Sequence, residues 1–178
     1  TAMQYAGPDL FHPNPEFLFA AGAGPLFDIG PYYLTTLVHL FGSFTNVAAV
    51  GSTGHKTRTI GTGPRAGVEF PVHVPTHVSA ISEFASGAVA QSLISFDSPH
   101  RRISFEVIGT EASLSIPDPN IFGGTVKITP RVGLDQFDVP TEWTDIAQEE
   151  ERFGRGAGVV DMARCIRNGG TPAYRLPY

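Results

Sequence analysis

Between Pro31 and Phe41, apolar residues recur at the helical interval, with Leu34, Leu37, Val38 and Phe41 standing at i, i+3, i+4 and i+7. Pro31 suits a first helical turn and Gly42 the position just past the last, so the spacing predicts a helix over residues 31–41. Before it the chain is irregular, because Gly7-Pro8, His12-Pro13 and Asn14-Pro15 each disfavour a continuous helix. After it the period moves towards two. Residues 47–52 read as a strand and residues 56–67 as a glycine-rich loop. Residues 76–84 and 88–96 are strand-like runs joined by Ala85-Ser86-Gly87, a hairpin signal. Residues 102–108 alternate, with Ile103, Phe105 and Val107 on one side and Arg102, Ser104 and Glu106 on the other. The alternation returns over 112–116 after a turn at Gly109-Thr110-Glu111, and further short strands are predicted at 126–129 and 136–139. A second helix over 158–167 carries Val159, Met162, Ala163 and Ile166 as its apolar stripe and closes at Gly169-Gly170. Strands in series, with a helix before and a helix after, predict an α+β fold in which one large, mostly antiparallel sheet is covered by helices on one face.

Composition narrows the function. A chain of 178 residues, 42% hydrophobic and 16% charged, is expected to be one folded domain. The net charge of -5, with no basic run, leaves no footprint for nucleic acid or an anionic membrane. Cys165 stands alone, which excludes an internal disulfide and predicts a reducing, cytoplasmic compartment. No apolar stretch approaches membrane-spanning length. Thr1-Ala2-Met3-Gln4-Tyr5 has neither an initiator methionine nor signal-peptide character, and reads as a chain already under way inside a longer protein.

The richest chemistry lies in Gly22-Ala23-Gly24-Pro25-Leu26-Phe27-Asp28-Ile29-Gly30-Pro31-Tyr32-Tyr33. A glycine-rich approach delivers Asp28 to the start of a helix, where the helix dipole favours the ionised carboxylate. Tyr32, Thr35, Thr36 and His39 share the helix side opposite the apolar stripe. Such a hydroxyl-rich face beside a carboxylate suits a polyhydroxylated ligand, with Tyr32 as a proton donor or acceptor. The plainer alternative makes Asp28 a helix cap and Tyr32 a half-buried packing residue.

Other constellations carry less. Gly61-Thr62-Gly63-Pro64-Arg65-Ala66 has the bare G-x-G-x-x-G/A pattern, but no helical period follows it, so no cofactor-binding residue is assigned in this chain. Pro75 interrupts His73 and His77, and no third ligand stands at useful spacing, so no metal site is assigned. Cys165 reads as a core thiol, Glu149-Glu150-Glu151 as a solvated charge run, and Arg101-Arg102 equally as a turn or an anion contact.

The run from His12-Pro13-Asn14-Pro15 through Asp28-Ile29-Gly30-Pro31-Tyr32 resembles the C-terminal domain of the Gfo/Idh/MocA family, the glucose–fructose oxidoreductase and inositol dehydrogenase relatives. The family pattern is a glycine-rich run followed by D-x-G-x-H or D-x-G-x-Y, and Asp28, Gly30 and Tyr32 fill its three places. The resemblance continues in Glu83-Phe84-Ala85-Ser86-Gly87, in Ile108-Gly109-Thr110-Glu111-Ala112 and in Arg155-Gly156-Ala157-Gly158, so it covers nearly the whole chain.

That resemblance implies a C-terminal domain of the glyceraldehyde-3-phosphate dehydrogenase-like type, partnered by an N-terminal Rossmann domain that this sequence lacks. It implies NAD or NADP held mainly by that absent domain, and hydride transfer to or from a carbinol of a sugar or polyol. Tyr32 becomes the catalytic candidate, with Asp28, Tyr33, Thr35 and Thr36 on the substrate side. Two departures stand out: Thr35 occupies a position where histidine-bearing members often have aspartate, and the family's lysine has no counterpart. A further helix usually follows, so the domain is expected to be trimmed after Tyr178 as well. Alone, the chain is expected to be inactive. Pairing through the sheet into a homo-oligomer is expected too, and a non-catalytic dimerisation or ligand-binding module is the alternative reading.

Overall fold

Glycine and proline punctuation sets the first helices. In the computed structural model, which describes residues 1–133, 142–147 and 154–172, Gly24 takes a φ of +97° and Pro25 starts a short helix, α1 (Pro25–Asp28). The longer α2 (Gly30–Phe41) follows, with proline in its first turn and Gly42 ending it at φ +86°.

The residues fall into two compact units, Thr1–Glu106 and Val107–Tyr178. The strands of the first are β1 (Ala2–Gln4), β2 (Phe44–Ser52), β3 (Thr57–Thr59), β4 (Glu69–Pro71), β5 (His77–Phe84), β6 (Val89–Ser95) and β7 (Arg102–Ser104). They form a five-stranded sheet ordered β2-β5-β6-β1-β7 and a separate β3-β4 pair. Within the larger sheet β1 runs parallel to β6, and the other pairings are antiparallel.

Register sorts the strand residues onto two faces. Val78, Ser82 and Phe84 of β5, and Ser92 and Ile94 of β6, are buried on the face that meets the helices. Ile81 and Glu83 of β5, and Val89 and Gln91 of β6, face the other way and are exposed. The core gathers Met3, Phe19, Ile29, Tyr33, Ile94 and Phe96, with Tyr5 and Leu26 packed against it. Burying one such side chain fully contributes roughly 2–3 kcal/mol. Between α2 and the edge strand β2, Leu26, Leu34, Val47 and Ala49 leave a cavity of about 150 Å³.

An ion cluster ties β3 to the loops around it. Arg58, its side chain 9% exposed, pairs with Asp9 at 3.2 Å and with Asp97, and donates to the carbonyl oxygens of Ala6 and Phe96. Asp97 in turn accepts from Thr76 Oγ1 at 2.5 Å and from the Gly54 amide. The Arg58 guanidinium also lies over the Phe19 ring, 5.4 Å from the centroid.

The second unit holds β8 (Glu106–Ile108), β9 (Ala112–Ser115), β10 (Lys127–Pro130), β11 (Thr144–Asp145) and the helix α3 (Ala157–Asn168). The strands make a four-stranded sheet ordered β11-β10-β9-β8.

The α+β class holds, and the structure differs from the sequence reading in detail. Among the described residues the strands divide among three sheets. The glycine-rich loop over 56–67 contains β3, because Thr57–Thr59 pairs with Glu69–Pro71, just beyond that loop. The run over 102–108 is two strands, interrupted at Phe105, which turns into the core at 1% exposure. The predicted strand at Gln136–Val139 lies outside the described residues.

Candidate functional site

The approach to α2 is built on close contact. A Cβ on Gly24 would lie 3.1 Å from the Pro75 carbonyl oxygen and 3.2 Å from Val74 Cγ2, on a backbone already at positive φ. Gly30 meets Leu26 and Ile94 in the same way, at 3.2 and 3.4 Å. The two glycines let α1 and the start of α2 settle onto the sheet, and Ile29 anchors the junction in the core.

Asp28 closes α1 and does not open α2. No side chain caps either helix, so the capping role does not apply. Nor is the carboxylate favoured as the helix-dipole argument expected. Burial raises the Asp28 carboxyl above its ordinary value, because the group loses part of its water and stands at the end of α1, not at the start of α2.

Beyond Asp28 the helix presents two different tyrosines. Tyr32 is 39% exposed, and Thr36 Oγ1 donates to its carbonyl oxygen at 2.8 Å. Thr35 and His39 are exposed and Thr36 is half-buried, so the predicted polar face exists. Tyr33 sits in the core at 1% exposure, its ring 6.1 Å from Phe105. The buried residues of α2 are Gly30, Tyr33 and Leu37; of the expected stripe Leu37 is buried and Leu34, Val38 and Phe41 are half-buried, so the inward face is centred closer to Tyr33 than the spacing predicted.

One residue packed against the same core as Ile29 escaped the sequence reading. Tyr5 follows β1; its amide donates to the Ser95 carbonyl at 3.1 Å and its own carbonyl accepts from the Ser98 amide at 3.2 Å. Its ring meets Phe96 edge-on at 5.2 Å and stacks with Phe11 at 6.2 Å. Burial first, then the negative charges of Asp28 and Asp9, push the Tyr5 phenol above its ordinary range. It therefore stays protonated at neutral pH.

Nearby, Arg65 pairs with Glu16 at 2.5 Å and donates to Asn14 Oδ1 at 3.3 Å, fixing the loop that carries His12 and Phe17. The Glu16 carboxyl is held below its usual range by its own backbone amide and by Arg65.

The remaining candidates disperse. The glycines at 61–67 form a turn between β3 and β4 and open no helix. His77 Nδ1 lies 3.1 Å from Ser95 Oγ. Among the described residues, no three His, Cys, Asp or Glu side chains are placed to hold a metal ion, and no helix is long and apolar enough to cross a membrane. Arg101 and Arg102 are exposed at the start of β7, Cys165 is half-buried on α3, and Glu149-Glu150-Glu151 lies outside the described residues.

Solved structures share the fold. Levoglucosan dehydrogenase in complex with NADH and L-sorbose aligns at 23% identity with a TM-score of 0.67, over 97% of this chain and 50% of that one. An NAD binding oxidoreductase from Klebsiella pneumoniae aligns at 20% identity and TM-score 0.58, over 82% and 38%. UDP-N-acetylglucosamine 3-dehydrogenase from Acidithiobacillus ferrooxidans aligns at 17% and 0.60, over 96% and 45%. The chain thus spans about half the length of the first of these structures. No curated protein matches it. Residues 1–115, which carry both glycine hinges, Asp28 and Tyr32, match the family model for the GFO/IDH/MocA C-terminal domain, and the chain belongs to that family.

Proposed function

We propose that this chain is the substrate-side half of an NAD(P)-dependent oxidoreductase that moves a hydride between the nicotinamide and a carbinol of a sugar or polyol. The observation that carries this reading is the α1–α2 junction. A half-buried carboxylate, an exposed tyrosine and two threonines lie along one helix approach, in a domain of an oxidoreductase family.

The one G-x-G-x-x-G/A pattern in the chain, Gly61-Thr62-Gly63-Pro64-Arg65-Ala66, lies in a turn that joins two strands and opens no helix, which supports a cofactor site outside this chain. The cofactor, which would accept or deliver the hydride, belongs to a nucleotide-binding domain of the parent protein. This chain's share is the proton and the orientation of the substrate. Asp28 accepts hydrogen bonds from ligand hydroxyls, Thr35 and Thr36 line the same side, and Tyr32 hydrogen-bonds the reacting hydroxyl beside a lysine from the other domain. Tyr33 contributes from behind, by seating the helix in the core.

One feature favours the second reading, a sheet-mediated module. The outward face of the five-stranded sheet exposes Val50 at 74%, Ile81 at 52% and Val89 at 66%. Such a face suits pairing with a second copy, and it is compatible with catalysis in the same protein.

The test is a screen of the parent protein with NAD and NADP against cyclic sugars and open-chain polyols, following reduced nicotinamide by absorbance. Substrate-dependent reduction is expected. Calorimetric titration of this chain alone should show no binding of either dinucleotide; micromolar binding would move the cofactor site into this chain.

A further inference from the structure

Two lines of contact run from the buried Arg58 to the start of α1. Along the first, the guanidinium pairs with Asp97, and Asp97 Oδ2 accepts from Thr76 Oγ1 at 2.5 Å. Thr76 is fully buried, and its carbonyl accepts from the Phe96 amide at 2.8 Å. Val74 and Pro75, just before it, are the residues that close on Gly24, 3.2 and 3.1 Å from where a Cβ would stand. Along the second, the guanidinium lies over the ring of Phe19. The Phe19 carbonyl accepts from the His73 amide at 2.9 Å, and the neighbouring Leu18 carbonyl accepts from the Gly24 amide at 2.9 Å. Both lines close on Gly24. Its own carbonyl accepts from the Phe27 and Asp28 amides, at 3.1 and 3.0 Å.

We propose that Arg58 is a positioning residue of the candidate site: through Thr76 and Phe19 it holds Gly24 in place, and Gly24 holds the helical turn that carries Asp28. What Asp28 does there rests on the functional reading above; where it stands rests on these contacts.

A buried ion pair is weak support for stability, because desolvating the charges offsets most of their attraction. What this cluster supplies is a single arrangement. The guanidinium is a planar fork, and its two terminal nitrogens serve two carboxylates and the Ala6 and Phe96 carbonyls. The backbone shuts on it from two sides: a Cβ at Gly7 would lie 3.0 Å from Arg58 Nη1, and one at Gly54 2.9 Å from Asp97 Oδ2. Close-packed groups of this kind transmit their position to whatever they touch. Asp28 needs such support. It ends a helix of four residues with no side-chain cap, too short to hold itself. A catalytic or binding group misplaced by about 1 Å costs on the order of 100-fold in rate.

The experiment uses the full parent protein and three variants. Thr76→Val removes the hydroxyl between Asp97 and the 74–76 segment, Thr76→Ser keeps it, and Arg58→Lys keeps the charge without the fork. Hydrogen exchange read by mass spectrometry should quicken roughly tenfold over residues 24–30 in Thr76→Val and Arg58→Lys, and stay as in wild type over 33–41 and 78–84. Thr76→Ser should match wild type throughout. In steady-state kinetics with sugar or polyol, Thr76→Val should lower kcat roughly tenfold and leave KM for the dinucleotide unchanged. In an Asp28→Asn background the same substitution should bring no further fall, because Arg58 acts only through Asp28. Unchanged exchange over 24–30, or faster exchange everywhere, would overturn the proposal and make the cluster a general brace. So would kinetic costs of Thr76→Val and Asp28→Asn that simply multiply. Each of these results leaves the oxidoreductase reading standing. If exchange quickens as expected but wild type turns over neither sugars nor polyols, Arg58 still positions Asp28 and the functional reading falls.

Discussion

Asp28 pays for its position in stability. A carboxyl whose folded pKa is raised holds its proton more firmly when folded, so its contribution is greatest below the unfolded pKa. It is lost as pH rises through the folded value. At neutral pH the ionised Asp28 therefore opposes folding, and Asp28→Asn should stabilise the domain by about 0.5 kcal/mol, discounted for its open side. Thermal melts at acid and neutral pH check this, with a gain at neutral pH that fades below the carboxylate range. A residue whose replacement stabilises is better explained by binding than by architecture. Gly24 is the opposite case. With φ at +97° and the Pro75 carbonyl 3.1 Å from any added Cβ, Gly24→Ala should cost about 1–2 kcal/mol, visible as a lowered denaturation midpoint. Tyr33, which the family resemblance put on the substrate side, is 1% exposed and shares the buried stripe of α2 with Gly30 and Leu37.

Among the elements, those with a long period were legible in the sequence. The helix over 31–41, the hairpin around Ala85-Ser86-Gly87 and the terminal helix all appear within one or two residues of expectation. What escaped were three-residue strands. Ala2–Gln4, Thr57–Thr59 and Glu69–Pro71 are too short to show alternation; the first owes its structure to partners far along the chain, and the other two to each other. Tyr5 escaped for the same reason, since it follows β1, whose partners β6 and β7 lie far along the chain. The Arg58 cluster is likewise a tertiary object. Arg58→Met would leave Asp9 and Asp97 buried without their cation, and is expected to destabilise the domain by about 3–5 kcal/mol in urea unfolding. Replacing a group that merely decorates the surface would move the midpoint very little.

At the scale of the whole molecule, pairing through the sheet is a proposal that can be tested. The outward face of the five-stranded sheet carries Val50, Ile81 and Val89 on neighbouring strands, and β2 lies at its edge. Light scattering after size exclusion should give a dimer or larger, and Ile81→Lys should shift it to monomer without loss of secondary structure. A wild-type monomer would remove the sheet from the account of assembly and leave the site untouched.

The central claim, that the α1–α2 junction is the proton-handling side of a hydride-transfer site, meets its most direct test at Tyr32. In the full parent protein, Tyr32→Phe should lower kcat by at least tenfold with the cofactor dissociation constant unchanged, the size expected for losing one positioned acid–base group. Equal turnover in that variant would contradict the claim and return Tyr32 to the surface of an ordinary helix.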